Sequence, residues 1–519
     1  MKIAVVGSGV SGLAATWLLN EFTNHEVHLY EADSRPGGHA HTVSYEGPKD
    51  NSVNVDIGFI VFNPSTYPNF LRFFDIHPDL RKRIRHTDMT FSVSRDKGAF
   101  EWAGRNLSSV FCQISRLFDP NMWLMVYDIL RFNACAGRLL EHMELASPDD
   151  DGPTIGEYLS QEGYSKSFMN DYLIPMTAAI WSTPPAQCAL DFPARTLIQF
   201  MHNHHLLQIF GKPSWLTLQG GSRIYVERIL SKLPKPQLHL STPVQSLVST
   251  PIHADSRNIE LTTASGAHDY YDHVILACHS DTALAILCTG GGATADEERI
   301  LRAFRWNKNE AVLHCDVRLM PIRRAAWSCW NFLSRSKTNN TGAKKIINEV
   351  SLSTYWMNDL QHIPEELHGP IFVTLNPLFD PNPSLVAGRY SYDHPILDAK
   401  AIRAQQEVHI IQRKRGISFA GAWLKYGFHE DGFTSGLRAA AAIMQEDATL
   451  NEREMHMPFE IVDADRPGRK SHMFAAIFDF LHTWGAKTIL GLCLVTFASG
   501  IYLTVYGTTL PTNNGDPSS

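Results

Sequence analysis

The sequence predicts an α/β protein: a Rossmann-like dinucleotide-binding domain interleaved with an α+β substrate domain and followed by a C-terminal transmembrane helix. Three observations carry that prediction. The chain opens on an apolar strand, a glycine turn, a helix and a second strand. Short alternating strands return after a long helical stretch. An uncharged apolar run then lies close to the C-terminus.

The first element is the strand Ile3-Ala4-Val5-Val6, followed directly by Gly7-Ser8-Gly9-Val10-Ser11-Gly12 and the helix that begins at Leu13. A G-x-G-x-x-G in that context is a nucleotide cradle. Gly7 permits the tight turn, Gly9 lets backbone approach a pyrophosphate, and Gly12 permits close packing of helix on strand. The helix amino terminus, at Val10 and Ser11, faces the phosphate charge. The second strand, Glu26 to Tyr30, ends in Glu31, about twenty residues beyond the glycines, where a carboxylate can accept hydrogen bonds from ribose hydroxyls. To this point NAD and FAD fit equally well.

The chain continues Glu31-Ala32-Asp33-Ser34-Arg35-Pro36-Gly37-Gly38-His39. Arg35 can neutralise a phosphate, and Gly37-Gly38 offers exposed backbone beside it. This stretch resembles the E-x-x-x-R-x-G-G extension of the flavin-containing amine oxidase superfamily, which includes protoporphyrinogen oxidases and phytoene desaturases. The resemblance implies FAD and a GR2-type cofactor domain.

Further segments are similar to the same superfamily. Asp56-Ile57-Gly58-Phe59 resembles its second flavin loop, and Gly220-Gly221-Ser222 resembles the segment that precedes its adenine-side strands. Val244 matches a position whose backbone holds adenine in that family. Phe419-Ala420-Gly421, Gly427-Phe428-His429-Glu430-Asp431-Gly432 and Ser435-Gly436 resemble the segment that runs beneath the flavin ring and opens a helix. The resemblance is closest to NAD/FAD-binding, amine oxidase-like proteins related to the flavoprotein domain fused to plant cyclopropane fatty acid synthases. It is carried by Ile180-Trp181-Ser182, Leu313 to Asp316, Trp330-Asn331, Tyr355 to Asn358, Thr374 to Pro377 and the Gly427 segment. That relationship implies a lipid substrate.

The alternation of strand-rich and helical stretches gives a discontinuous FAD-binding domain over residues 1–62, 212–290 and 400–447. A substrate domain with a helical insert covers 63–211 and 291–399. A linker with an amphipathic segment follows at 448–485, then a transmembrane helix at 486–507 and a polar tail at 508–519. Ile489 to Tyr506 carries no charge over a length of roughly 27 Å as a helix. Arg466, Arg469, Lys470 and Lys487 precede it and only Asp516 follows, so the predicted topology is a single-pass tail anchor with the catalytic domain on the cytoplasmic side. Phe474, Ile477, Phe480, Leu481 and Trp484 recur at helical spacing just upstream, as expected for an amphipathic helix that lies either in the membrane interface or on the enzyme.

A formal charge of -7 gives no basic surface for nucleic acid. The eight cysteines are scattered without a C-x-x-C pair, which points to reduced thiols in a cytosol-facing compartment, and strand residues directly after Met1-Lys2 leave no room for a cleavable leader. His202, His204 and His205 lack supporting carboxylates or thiols, so no metal is expected.

A single dinucleotide fingerprint implies that electrons come from the organic substrate, as a hydride equivalent passed to flavin N5. The expected substrate is small and hydrophobic, a lipid or isoprenoid; an amine or polyamine oxidase and a non-catalytic FAD-binding membrane scaffold are the alternatives. His314, Trp327, Trp330, Asn331, Tyr355, Trp356 and Asn376 are the substrate-side candidates. Lys308 is the nearest candidate for the lysine found near N5 in many amine oxidases. No catalytic residue is assigned.

Overall fold

The computed structural model describes residues 1–47, 51–144, 152–181, 190, 192–208, 213–253, 256–338, 344–345, 351–446, 457–464, 472–483 and 485. Strand β1 (Lys2–Val6), helix α1 (Val10–Phe22) and strand β2 (Glu26–Tyr30) form the opening unit. They belong to a five-stranded, all-parallel sheet in the order Ile417–Phe419, His273–Leu276, β1, β2, Leu238–His239. Parallel strands are covered on both faces, which explains why Ile3–Val6 and Val274–Ala277 read as continuous apolar runs.

Side chains alternate between the two faces. Ile3, Val5, Val27, Leu29 and Ile275 pack beneath α1 and the helix His429–Glu446, whereas Ala4, Val6, Val274 and Leu276 meet Leu247, Ile259 and Leu261 of a three-stranded antiparallel sheet. The first layer also takes in the helix Pro68–Asp75. Its Phe73 ring lies 5.0 Å from Trp17 and its Phe70 ring 5.3 Å from Phe433. Residues just beyond 62 thus pack with the nucleotide-binding layer, because three phenylalanines on one helical face complete its core.

The second layer is a mixed seven-stranded sheet in the order Val386–Ile396, Arg305–His314, Phe372–Leu375, Ser351–Trp356, Trp330–Ser334, Phe91–Arg95, Phe100–Ala103. The helical reading of 63–211 fails here, since Ile84–Thr87, Phe91–Arg95 and Phe100–Ala103 are strands. Asp96, Lys97 and Gly98 all have positive φ (53°, 54° and 81°) and turn the last two into a hairpin. Helices do follow, at Pro120–Cys135, Gly137–Glu144, Ile155–Gln161 and Ala194–Asn203, around a core of Phe132, Leu159, Phe168, Leu197 and Phe200.

The expected transmembrane segment at 486–507 and Trp484 lie outside the described residues. Among the described residues no helix is long and apolar enough to cross a membrane. The amphipathic segment is a helix, His472–Thr483, which packs on Pro120–Cys135: the Phe478 ring stands 5.6 Å from Tyr127, and Arg138 donates to both Asp479 carboxylate oxygens at 3.0 and 2.8 Å.

Candidate active site

At the carboxyl edge of the parallel sheet four chain reversals meet: the glycine turn after β1, Glu31 after β2, Ala277-Cys278-His279 after the third strand, and Ala420-Gly421 after the fourth. Ligands of open α/β sheets bind at this edge. Gly7 has φ +102°, and a Cβ there would stand 2.6 Å from the Ala277 carbonyl oxygen; a Cβ on Gly12 would stand 1.8 Å from the Gly7 oxygen. Both glycines are therefore demanded by backbone packing. At Gly9 a Cβ would meet nothing within 4 Å, so the space above this residue is open. Gly9 is also the N-cap of α1, which has no side-chain cap and no acidic residue in its first turn. The amides of the first helical turn, including those of Val10, Ser11 and Gly12, are left for an anion to satisfy.

The loop predicted to flank the pyrophosphate closes over this turn. Gly37 has φ +110° and its N–H donates to the Ser8 carbonyl at 3.0 Å, while a Cβ on Gly38 would lie 3.0 Å from Gly9 Cα. Arg35 donates to the carbonyls of Gly38 (2.9 Å) and Pro36 (3.2 Å), so part of its guanidinium holds the loop rather than facing outward. Glu31 Oε2 accepts from the Ser8 amide at 2.8 Å and hydroxyl at 2.5 Å, which fixes the carboxylate at the cradle's rim.

The closing segment comes to the same place from the far end of the chain. A Cβ on Gly432 would stand 2.6 Å from Val10 Cγ1, and one on Gly436 2.0 Å from the Ser11 carbonyl oxygen, so His429–Glu446 lies against α1 at backbone distance. Gly421 N–H donates to Ser435 Oγ at 2.9 Å. Gly427 turns the chain at φ +88°, and the following residues diverge. Phe428 stacks on Phe200 of the helical insert (5.3 Å), whereas His429 stacks on Phe59 at 3.7 Å and shares a 2.7 Å hydrogen bond with Tyr225. An uncapped helix terminus beside open space, a carboxylate at the rim and two helices converging at glycines fit a dinucleotide cofactor, which Gly9 to Gly12, Glu31, Arg35 and the 37–39 backbone could hold.

A family model described as flavin containing amine oxidoreductase matches residues 10–306, more than half of the 519-residue chain. The chain belongs to the flavin-containing amine oxidoreductase family. It is an FAD-dependent oxidoreductase with a mixed α/β, FAD-binding fold. The flavin-containing monooxygenase iboF of Amanita muscaria (strain Koide BX008) is 37% identical over 71 residues, which is 14% of this chain and spans only 13% of that protein's length. Two solved structures are similar in fold: the CLA-producing fatty acid isomerase from P. acnes (13% identity, TM-score 0.55, covering 86% of this chain and 98% of that one) and cyclohexylamine oxidase from Brevibacterium oxydans IH-35A (15%, 0.55, 86% and 99%).

Asp56 and Gly58 both make close contacts within the protein. Asp56 is 1% exposed; its Oδ1 accepts from the Thr42 hydroxyl (2.6 Å) and from the Ser222 amide and hydroxyl (both 2.8 Å), and its Oδ2 from Gln361 Nε2 (2.9 Å). The carboxylate joins three segments. A Cβ on Gly58 would meet the His39 carbonyl oxygen at 2.4 Å, because Phe59 N–H donates to that carbonyl. Val244 opens the strand Val244–His253, beside the Glu31–Asp33 backbone that Ser241 and Thr242 bond.

The seven-stranded sheet separates the substrate-side candidates. Trp330 and Tyr355 point toward the 39–61 loop, on the face that also carries Tyr390, Tyr392, Val373 and Leu375. Trp327 and Trp356 pack with Phe372 on the opposite face, where His314 bonds Thr374 at 2.7 Å. Asn331, also facing away, is spent on Ser92, Ser328 and Thr354. Asn376 has φ +49° and bonds Asn309 and the Glu310 amide as a turn residue. Lys308 is exposed, with the opposite alternation to Asn309, and so points away from the face that carries Asn309.

Three histidines that the motifs did not single out as a group lie near one another, two of them, His39 and His394, at the near face. His39 stacks 5.3 Å from His394, its Nε2 sealed without a hydrogen-bond partner; Asn309 Nδ2 donates to His394 Nδ1 at 3.0 Å; and His279 stacks on Trp306 at 3.7 Å. Burial holds all three imidazoles below their ordinary range, His394 at about 4, and it holds His429 at about 3. A group whose folded pKa is depressed withdraws stability as pH falls from its unfolded value through the folded one. The urea midpoint is therefore expected to drop between pH 6.5 and about 4, and His429→Gln, which can still bond Tyr225, should flatten that acid limb. Among the described residues no group of three or more His, Cys, Asp or Glu is arranged to hold a metal ion.

Proposed function

We propose that this flavoenzyme acts on a hydrophobic substrate, an acyl lipid or an isoprenoid, and is held at a membrane by the 489–506 segment. The observation that carries the reading is the near face of the seven-stranded sheet. There Tyr355, Tyr392, Val373 and Leu375 are buried against the 39–61 loop, Trp330 and Tyr390 are half-buried at its margin, and the polar members include Asn309, Ser353 and His394. This part of the wall carries no carboxylate and no lysine among its described residues. A cationic amine would lose its hydration against such a wall without gaining a counter-charge.

When bound, FAD supplies a two-electron acceptor. The chain's residues position substrate and proton. The half-buried Trp330 and Tyr390 give an apolar chain aromatic surface to pack on, over a core that excludes water. His394, with Nδ1 engaged by Asn309, carries its proton at Nε2 and can donate a hydrogen bond there, while the neutral ring of His39 keeps a buried Nε2 without a partner. The resemblance of the Gly427 segment and its companions to flavoprotein domains fused to plant cyclopropane fatty acid synthases supports the lipid class.

The test is anaerobic mixing of holoenzyme with unsaturated acyl lipids, isoprenoids and a panel of amines, following the flavin band near about 450 nm. Bleaching by a lipid or isoprenoid and not by amines is expected. Bleaching by amines alone would overturn the proposal.

A further inference from the structure

Strand Arg305–His314 pairs with Val386–Ile396 so that Asn307 lies opposite His394 and Asn309 opposite Tyr392, which brings the Asn309 amide to the His394 ring across the two strands. Asn309 is 2% exposed, and all four of its amide positions are used. Its Oδ1 accepts from Asn376 Nδ2 at 2.8 Å and from Asn307 Nδ2 at 3.1 Å, while its Nδ2 donates to the Asn307 carbonyl at 3.1 Å and to His394 Nδ1 at 3.0 Å. A carboxamide can present either end, and here the direction is set by a group that has no choice. The Glu310 backbone N–H donates to Asn376 Oδ1 at 3.0 Å, so Asn376 turns its Nδ2 to Asn309, which must receive it on Oδ1. The N–H end of Asn309 is then left to face His394. His394 Nδ1 therefore keeps its lone pair and the ring proton sits on Nε2; a second proton, at Nδ1, would meet the Asn309 N–H.

The ring stands among the chain reversals at the carboxyl edge of the parallel sheet. It stacks 5.3 Å from His39, which follows the Gly37-Gly38 turn, and Pro395 beside it would lie 3.2 Å from a Cβ on Gly427. Burial and the nearby His279, which follows the strand His273–Leu276, hold the imidazole at about 4. His394 is half-buried, and its Nε2 has no acceptor among the described residues. We infer that this relay makes His394 a fixed hydrogen-bond donor to the bound FAD, with Asn309 and Asn376 as the positioning residues that set its tautomer. The neutral N–H suits an acceptor oxygen or ring nitrogen of the cofactor and, being set from the protein side, needs no reorganisation when the cofactor binds. This role belongs to cofactor binding and is independent of the substrate class, so an enzyme that oxidised only amines would keep it.

The test is release of FAD from the full-length holoprotein, followed by the recovery of free-flavin fluorescence on serial dilution at about pH 8.5, where an imidazole beside a carboxylate is neutral. His394→Phe keeps a ring against His39 without the N–H, and FAD should bind about five- to tenfold more weakly, as loss of one hydrogen bond requires. Asn309→Asp keeps the shape but offers Nδ1 an acceptor, which draws the proton from Nε2 and turns a lone pair toward the cofactor; FAD should bind at least about tenfold more weakly. In the His394→Phe background the same Asn309→Asp change should add less than about twofold, because Asn309 acts through the ring. Cooperative melting shows that each variant is folded. If Asn309→Asp does not fold, Asn376→Asp makes the same test one step back: its carboxylate competes with His394 for the Asn309 N–H, at a φ of +49° that Asp tolerates. Unchanged FAD affinity in His394→Phe overturns the proposal, since the donor then serves the substrate or water. An Asn309→Asp loss that persists undiminished without the imidazole overturns it as well.

Discussion

Gly9→Ala is expected to yield a folded, colourless protein, whereas Gly12→Ala is expected to yield little folded protein at all. The two positions sit in one motif three residues apart, and the difference is geometric. At Gly9 the backbone is at φ -64° and ψ 177°, a conformation that alanine adopts freely, and a Cβ meets no protein atom within 4 Å. The cofactor-free melting temperature should be unchanged or slightly raised, since alanine restricts the unfolded chain by about 0.4–1 kcal/mol where its native conformation is compatible. The methyl group instead projects into the space from which a pyrophosphate approaches the helix terminus. FAD affinity should fall on the order of a hundredfold, seen as a lost flavin band at equal protein concentration. At Gly12 a Cβ would stand 1.8 Å from the Gly7 carbonyl oxygen and 3.3 Å from Val5 Cγ1, where no rotamer relieves the clash and the helix must lift from the sheet. A cost above about 3 kcal/mol follows, the upper end for overpacking. A Gly9→Ala protein that keeps its FAD would show that the cofactor does not use this turn.

That motif was legible because each glycine answers to backbone geometry, which sequence spacing encodes directly. The same holds for Gly421 to Gly436, where small residues recur at the helix face that must approach α1. The substrate side was less legible. Trp330 and Tyr355 face the 39–61 loop, yet Trp327, Trp356, His314 and Asn331, drawn from the same aromatic block, face away. Which face of a strand is buried on the site depends on register within a seven-stranded sheet assembled from distant segments, and a residue's neighbours in sequence do not report it. His394 and Tyr392 come from a strand without a motif. His279 could have been noticed, because it follows an apolar parallel strand at the edge where ligands bind.

Asp56 is where the sequence reading and the geometry part most instructively. Its place in a segment resembling a flavin loop marks it as a cofactor contact, but every acceptor direction the carboxylate shows is taken by Thr42, Ser222 and Gln361. Gly221 beside it has φ +86°, and a Cβ there would stand 2.4 Å from Thr42 Cγ2 and 3.0 Å from Asp56 Oδ1, so the joint is packed to backbone contact. Asp56→Ala leaves several buried donors unanswered and should cost about 3–5 kcal/mol in urea unfolding. Asp56→Asn keeps the shape but sets an amide against Gln361 Nε2, at about 2 kcal/mol. The pH dependence separates this role from a cofactor contact. Burial lifts the Asp56 carboxyl to about 6 from 3.8, against the donors that lower it. Its contribution is fully present below pH 3.8 and is lost as pH rises through 6, at no more than about 1.4 kcal/mol per pH unit. The stability gap between the natural protein and Asp56→Asn should therefore narrow across that window, while FAD bound per folded molecule stays the same. An Asp56→Asn protein of undiminished stability that binds FAD weakly would make the carboxylate a cofactor ligand and end the structural reading.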